Sequence, residues 1–315
     1  DKAAYELIGK AYRRVAEREE WLQDAVPVAQ IGLFQLPTGV LSTTQSTSGT
    51  DEGAVRMLTQ LKHQFDVVSG VSDLRKYELV ILPDALPVDE ALAAKLRRYL
   101  RRGGALLATG TSALSPDGTQ LRLRELPVVP RGLSPYQTTY MRFGDPVAQD
   151  VPATDHVVYE RGVRVRPAAG AQTLARVVEP YFDRSWRHFS SHKQTPADKL
   201  SPYAAAVRKG RLAYIAYPVF SAFAAHGNYP YRLLVRNILE LLLPEPLLRV
   251  EAPTSTEATL MRQRGRTIVH LLHYQPERRA ANLDLVEDIV PLFGVEVSLK
   301  LGRPPEKVCL VPERR

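Results

Sequence analysis

The sequence predicts an α/β protein: a parallel, doubly wound sheet over most of the chain, then a small antiparallel β domain. Three observations predict it. Tyr77-Glu-Leu-Val-Ile-Leu-Pro83, a charged amphipathic stretch and Gly103-Gly104-Ala-Leu-Leu-Ala-Thr109 follow one another. They read as buried strand, crossover helix and buried strand, the unit of a parallel sheet covered on both faces. The longest apolar runs are strand-sized, and helical periods alternate with them. After Pro246 the hydrophobic period changes to two, as half-buried antiparallel strands require.

The first element is a helix over residues 2–22. Ala4, Leu7, Ile8, Ala11, Tyr12 and Val15 form one apolar stripe, and Asp24 and Pro27 end it. A lone amphipathic helix needs a surface to pack on, so residues 1–24 are expected to belong with a region N-terminal to this chain. Val28–Phe34 is the first strand, followed by a Thr/Ser/Gly-rich loop, Gln35–Thr50. Asp51 is expected to cap a helix that turns Val55, Leu58 and Leu61 inward. Strands follow at Phe65–Ser69 and Glu78–Leu82.

The helix of residues 89–102 satisfies several rules together. Asp89 and Glu90 start it, and Arg97, Arg98, Arg101 and Arg102 end it, both complementing the helix dipole. Leu92, Leu96, Tyr99 and Leu100 make its buried stripe, and Gly103 supplies a left-handed stop. Ala105–Ala108 is the next strand. The stretch 111–210 is rich in proline and arginine, with strands expected at Gly162–Arg166 and Thr173–Val178. Leu212–Tyr217 is a late buried strand, and the helix Tyr231–Leu243 stops at Pro244-Glu-Pro246.

Beyond it, Ala258–Arg264 and Thr267–His273 flank Gln263-Arg264-Gly265-Arg266, a hairpin signal. Gly294–Leu301 sets Val295, Val297, Leu299 and Leu301 on one face, and Lys307–Val311 reads as a further strand. The domain expectation is therefore 25–245 for the α/β part and 246–315 for the β part.

Composition excludes some classes. A chain of 315 residues, 44% hydrophobic and 24% charged, is an ordinary globular sequence too long for one small core. No apolar run approaches the length that spans a bilayer. One cysteine, Cys309, cannot form an internal disulfide and suits a reducing cytoplasm. The net charge is +8, but its arginines are scattered: four on the 89–102 helix, Arg161, Arg164 and Arg166 on one strand, Arg278 and Arg279 in a loop. No basic stripe is paired with exposed aromatics, so nucleic acid is not the expected partner.

Two segments could carry chemistry. Gly110-Thr111-Ser112-Ala-Leu follows a buried strand and is half of a nucleophile elbow, which makes Ser112 the candidate of an alternative reading, a stand-alone hydrolase of esterase or amidotransferase type. The second glycine is missing, and Ser or Thr at a strand end usually satisfies backbone groups. Tyr181-Phe-Asp-Arg-Ser-Trp-Arg-His-Phe-Ser-Ser-His192 is the richest polar segment. Trp186 offers a flat face, and Arg184, His188 and His192 offer donors, which marks these four as substrate-binding candidates; the plainer alternative is a polar interface loop. His188 and His192 are four apart, but Ser190, Ser191 and Pro196 argue against the helix a metal pair would need, and no third ligand completes a set. Glu160, Glu179 and Asp183 are carboxylates that spacing does not distinguish. His226 reads as a turn or cap residue, and His270 and His273 as structural.

The order of motifs resembles a known family. Glu52-Gly-Ala-Val-Arg-Met-Leu58, Gln64-Phe-Asp-Val-Val68, Tyr77–Pro83 and Leu100-Arg-Arg-Gly-Gly-Ala-Leu-Leu-Ala-Thr-Gly110 are similar to the β-galactosidase trimerisation domain of glycoside hydrolase family 42 and related glycosyl hydrolases. Val178-Glu-Pro-Tyr-Phe182, Pro218-Val-Phe-Ser-Ala-Phe223 and Val269-His-Leu-Leu-His-Tyr274 extend the resemblance to about residues 25–310. It implies a flavodoxin-like, amidotransferase-like sheet whose strand-end turn lacks the cysteine nucleophile. It also implies a non-catalytic region that forms a homo-oligomer, a trimer above others, and shapes an active site for carbohydrate. Hydrolysis would belong to a paired-glutamate (β/α)8 barrel of the same polypeptide, for which this sequence has no room. No catalytic residue carries over, and no cofactor or metal is implied.

Overall fold

The computed structural model describes residues 2–37 and 49–312. Two compact units are present: Gln30–Leu61 with Phe65–Glu245, and Asp1–Ala29 with Lys62–Gln64 and Pro246–Arg315. The chain begins in the second, smaller unit with helix α1 (Lys2–Ala16) and the short strand β1 (Val26–Pro27).

The larger unit is built on one mixed sheet of 11 strands. In chain order these are β2 (Ile31–Phe34), β3 (Phe65–Val68), β4 (Leu79–Leu82), β5 (Ala105–Thr109), β6 (Val128–Leu133), β7 (Thr139–Phe143), β8 (His156–Val158), β9 (Val163–Pro167), β10 (Gln172–Pro180), β11 (Ala197–Lys209) and β12 (Leu212–Ile215). Its helices are α2 (Gly49–Gln60), α3 (Glu90–Arg101), α4 (Val219–His226) and α5 (Tyr229–Leu242). The spatial order runs β3-β2-β4-β5-β12-β11-β10-β7-β8, with β9 beside β11 and β6. The first five are mutually parallel, and pairing turns antiparallel from β12 onward. Every residue of β2, β4 and β5 is buried, which is why these strands read as continuous apolar runs.

Local rules account for α3. Asp89 caps it, its carboxylate accepting the Leu92 N–H at 2.8 Å, and Gly103 takes the left-handed conformation that ends it, with φ of 88°. At α2 the structure corrects the expectation. The helix starts at Gly49, so Asp51 lies inside the first turn, buried, and accepts the Leu36 N–H at 3.2 Å. Leu58 faces inward as expected, but Val55 is exposed, and Gly53, Ala54 and Met57 take the inward face with Leu58. Most of the expected 35–50 loop, residues 38–48, lies outside the described residues. Between residues 111 and 218 the structure adds β6, β7, β8 and the 13-residue β11, and α4 follows them.

In the smaller unit α1 buries none of its residues, and Tyr5, Leu7, Ile8, Tyr12 and Val15 are exposed. The helix stops at Ala16; a separate 3-10 turn, Glu19–Trp21, buries Trp21. β1 pairs with Met261 and Arg262, and Val28 N–H donates to Leu260 O at 3.0 Å. The residues just before Ile31 therefore belong to a different sheet from β2. β14 (Thr256–Gln263) and β15 (Arg266–His273) form the expected hairpin, turning at Arg264 and Gly265 with φ of 39° and 79°. β13 (Leu248–Glu251) pairs with β18 (Glu296–Leu299), and β16 (Glu277–Ala280) with β17 (Leu283–Leu285). Arg278 and Arg279 thus lie on a strand rather than in a loop, and residues 307–311 form no strand. Gln64 is stitched to β14 like an extra peptide unit: its amide accepts Leu260 N–H at 2.7 Å and donates to Ala258 O at 2.8 Å.

Candidate functional site

The turn after β5 is closed to chemistry by its own hydrogen bonds. Asp84, just beyond β4, adopts a left-handed φ of 43° and is buried. Its carboxylate accepts the Thr109 hydroxyl at 2.7 Å, the Ser221 N–H at 2.7 Å, the Phe220 N–H at 3.3 Å and the Thr50 hydroxyl at 3.4 Å. Two of these donors are the first free amides of α4, so Asp84 caps that helix from across the sheet. Burial pushes its carboxyl above the usual range, and the Ser221 and Thr109 hydrogen bonds pull it back.

Ser112 belongs to this network and not to a nucleophile. It is fully buried, its hydroxyl accepts the Leu86 N–H at 3.0 Å, and its own N–H donates to Asp84 O at 3.1 Å. Among the described residues, no histidine is hydrogen-bonded to it. A base and an open face are both needed for a serine to attack, and this serine has neither.

The Tyr181–His192 segment lies in the loop closing the β10–β11 hairpin, whose last pair is Pro180 and Ala197. Its base is tied down. Thr195, buried, donates from its hydroxyl to Phe182 O at 2.7 Å, and Tyr140 OH donates to Thr195 O. Asp183 accepts the Gln137 N–H at 3.0 and 3.1 Å through its two oxygens. A tight turn forms above, with Ser185 N–H donating to His188 O at 2.9 Å and His188 N–H to Ser185 Oγ at 3.2 Å.

Among the four candidates, Arg184 lies over the Phe189 ring at 5.4 Å and donates to the backbone carbonyl of His192 at 3.3 Å. The His188 ring rests on Phe182, 5.4 Å between centroids. Trp186 stands apart, 87% exposed, with the Arg187 guanidinium 4.8 Å from its ring. Arg187 and Phe189 thus pack against the candidate residues Trp186 and Arg184. Among the described residues, no three His, Cys, Asp or Glu side chains gather as a metal site would need. An exposed Trp with stacked Arg is the composition of contact surfaces.

Beside the loop, Lys193 sits over the Tyr159 ring at 4.6 Å, and Tyr159 OH donates to Gln194 at 3.3 Å. Tyr159 meets His226 edge-on at 5.6 Å, and His226 Nε2 is 3.0 Å from Glu160. Tyr231 OH reaches the other Glu160 oxygen at 3.4 Å. Burial lifts the Glu160 carboxyl above its usual range, and His226 opposes the lift. His226 itself ends α4, with Gly227 as its left-handed stop. The other two carboxylates are engaged in structure: Glu179 accepts from Arg164 at 3.1 Å and Ser201 at 2.9 Å, and Asp183 holds the Gln137 amide. Nothing local in the sequence marks Asp84 or the Glu160–His226 pair, because both join positions far apart along the chain.

A family model described as the β-galactosidase trimerisation domain matches residues 55–224. The structure of α-L-fucosidase isoenzyme 2 from Paenibacillus thiaminolyticus superposes over 100% of this chain with a TM-score of 0.93 and 32% identity, the match covering 48% of the fucosidase. The β-galactosidase from Bacillus circulans sp. alkalophilus gives a TM-score of 0.57 at 16% identity, over 90% of this chain and 43% of its own. That from Rahnella sp. R3 gives 0.57 at 14%, over 87% and 41%. The two galactosidases share the fold. The chain spans about half the length of the fucosidase and less than half of either galactosidase. A comparison with curated proteins gives no match.

Proposed function

The chain belongs to the β-galactosidase trimerisation domain family, and from that premise we propose that it is the non-catalytic, oligomer-forming and active-site-shaping region of a glycoside hydrolase. The observation that carries this reading is the match of the whole chain to under half of a fucosidase at 32% identity. The unmatched part of such an enzyme has room for a (β/α)8 barrel of about 250 residues. The parent acts on α-L-fucosides in preference to β-galactosides, because identity to the fucosidase is twice that to the galactosidases. The parallel order β3-β2-β4-β5-β12 supports a flavodoxin-like wiring, second strand beside first, then third, fourth and fifth. The protein assembles as a homo-oligomer, a trimer above others. The apolar stripe of α1, exposed along its length, packs on the barrel of the same polypeptide. A cytoplasmic location is supported by the free, exposed thiol of Cys309.

Within this reading the loop carrying Arg184, Trp186, His188 and His192 contacts sugar at a domain or subunit boundary, where binding sites concentrate. Its support is a rigid base under an exposed aromatic and cationic tip. The test uses the full-length enzyme with p-nitrophenyl α-L-fucoside and p-nitrophenyl β-D-galactoside. Turnover of the fucoside is expected to exceed that of the galactoside, with a trimeric mass by light scattering. Trp186→Ala is expected to raise KM several-fold while kcat stays within about twofold, as for a contact made equally in ground and transition states. Hydrolysis by residues 1–315 alone, or a monomeric enzyme at micromolar concentration, overturns the reading.

A further inference from the structure

A cavity of about 540 Å³ opens in the larger unit where α3 ends and β4, β5 and β12 begin. It lies at the opposite ends of the parallel strands from Asp84 and Ser112. Arg75, Lys95, Arg98, Arg102 and Arg211 line it, against two carboxylates, Asp73 and Glu78. Both acids are already engaged. Asp73 holds Arg75, its Oδ2 accepting Nε at 2.9 Å and Nη2 at 2.7 Å and its Oδ1 accepting Nε at 3.0 Å, and Glu78 accepts the Gln30 amide at 2.7 Å. Lys95 donates to Gly70 O at 2.6 Å.

The side chains of Arg98 and Arg102 have no hydrogen-bond or ion-pair partner among the described residues, and the Arg211 side chain reaches only Glu78 O, at 3.5 Å. Lys95, Arg98 and Arg102 follow a spacing of three and four, so they share one face of α3. Like charges at that spacing repel. The helix dipole accounts for basic residues in the last turn of α3. It does not account for Arg211, which arrives from another element, or for a concave site around them.

The floor is shaped rather than incidental. Tyr99 lies so close over Gly104 that a Cβ there would sit 2.2 Å from the ring, and the Tyr99 hydroxyl is fixed on Ala105 O at 3.0 Å. Val71, Leu74 and Tyr77 add apolar wall. The volume falls in the range of small-molecule sites. Guanidinium groups match the paired oxygens of tetrahedral anions.

We propose that this cavity binds the phosphoryl or sulfuryl group of a small anionic ligand, held by Arg98, Arg102 and Arg211, with its uncharged body against Tyr99 and Leu74. The experiment is calorimetric titration of the full protein with inorganic phosphate, sulfate and glucose 6-phosphate at constant ionic strength. Saturable binding of at least one probe is expected below about 10 mM, as two or three charge-assisted hydrogen bonds allow. Tighter phosphate than sulfate assigns a phosphoryl ligand, and the reverse a sulfuryl one. Arg98→Ala/Arg102→Ala is expected to raise Kd at least tenfold, and so is Arg211→Ala, which leaves α3 intact. Arg56→Ala, on α2 and paired with Glu52, is expected to leave Kd unchanged. Absence of saturable binding by all three probes, or an unchanged Kd in both the double variant and Arg211→Ala, overturns the proposal.

Discussion

Asp84 and Ser112 stand where related scaffolds could place chemistry, and their surroundings assign them to structure. Removing the Asp84 carboxylate leaves buried hydroxyls of Thr109 and Thr50 and the first amides of α4 without their acceptor. A buried donor left unsatisfied costs about 1–3 kcal/mol, so Asp84→Ala is expected to destabilise by at least about 3 kcal/mol. For a unit of this size that is a drop in Tm of roughly 6–12 °C, read by calorimetry. Asp84→Asn keeps one acceptor and is expected to lose less. Ser112→Ala gives up a single hydrogen bond to Leu86 and is expected to leave the activity of the full-length enzyme within a few-fold. A thousandfold loss, the scale of a missing nucleophile, would instead install Ser112 as the reacting group. Cys309→Ala, at an exposed position, is expected to be silent in the same assay.

Helix α2 shows how packing overrides local signals. A Cβ on Gly53 would sit 1.9 Å from Phe220 O and 3.2 Å from the Ala224 side chain, so the backbones of α2 and α4 touch there. Gly→Ala usually helps a helix. Here Gly53→Ala is expected to destabilise by about 1–3 kcal/mol through overpacking; a rise in Tm would show that the two helices part freely. The same contact explains why the sequence expectation holds for Leu58 and fails for Val55, since a glycine at a helix contact carries no hydrophobic signal. What was legible obeyed rules within a few residues: the Asp89 cap, the arginine end and Gly103 stop of α3, the Arg264-Gly265 hairpin, the all-buried β4 and β5. The strand β11 was missed because Pro202 interrupts it and its ladder with β10 is broken by register shifts, which blur any alternation. Helix α4 was missed because Val219, Phe220, Ala222 and Phe223 are all buried, so it has no polar face to give it a period. Of the 181–192 loop, composition was legible, and the pairing of Arg187 with Trp186 and Arg184 with Phe189 was not, since it depends on how the turn at Ser185 folds.

For the molecule as a whole, acid is expected to act first on the smaller unit. Burial, with Arg249 adding to it, holds His63 down at about 4 from its ordinary 6.5, and burial lowers His270 as well, its Nε2 having no hydrogen-bond partner among the described residues. Above pH 6.5 neither folded nor unfolded His63 binds a proton, and its contribution to stability is constant. Below 6.5 the unfolded chain takes up the proton and the folded chain does not until about 4, so stability falls as pH falls through that window. The slope is at most about 1.4 kcal/mol per pH unit for one histidine, and less here because the side chain keeps some exposure. Asp73, held down to about 2 by Arg75, loses its contribution only below its ordinary 3.8, outside this window. Glu160 acts with the opposite sign, but in the larger unit, so a probe confined to the smaller unit separates them. The chain supplies one: of its two tryptophans, Trp21 is buried in the smaller unit and Trp186 is exposed. In a Trp186→Phe background, the urea midpoint followed by Trp21 emission is expected to fall steadily from pH 6.5 to pH 4. His63→Asn is expected to flatten that fall. An undiminished slope in the variant would move the acid sensitivity from His63 to another group.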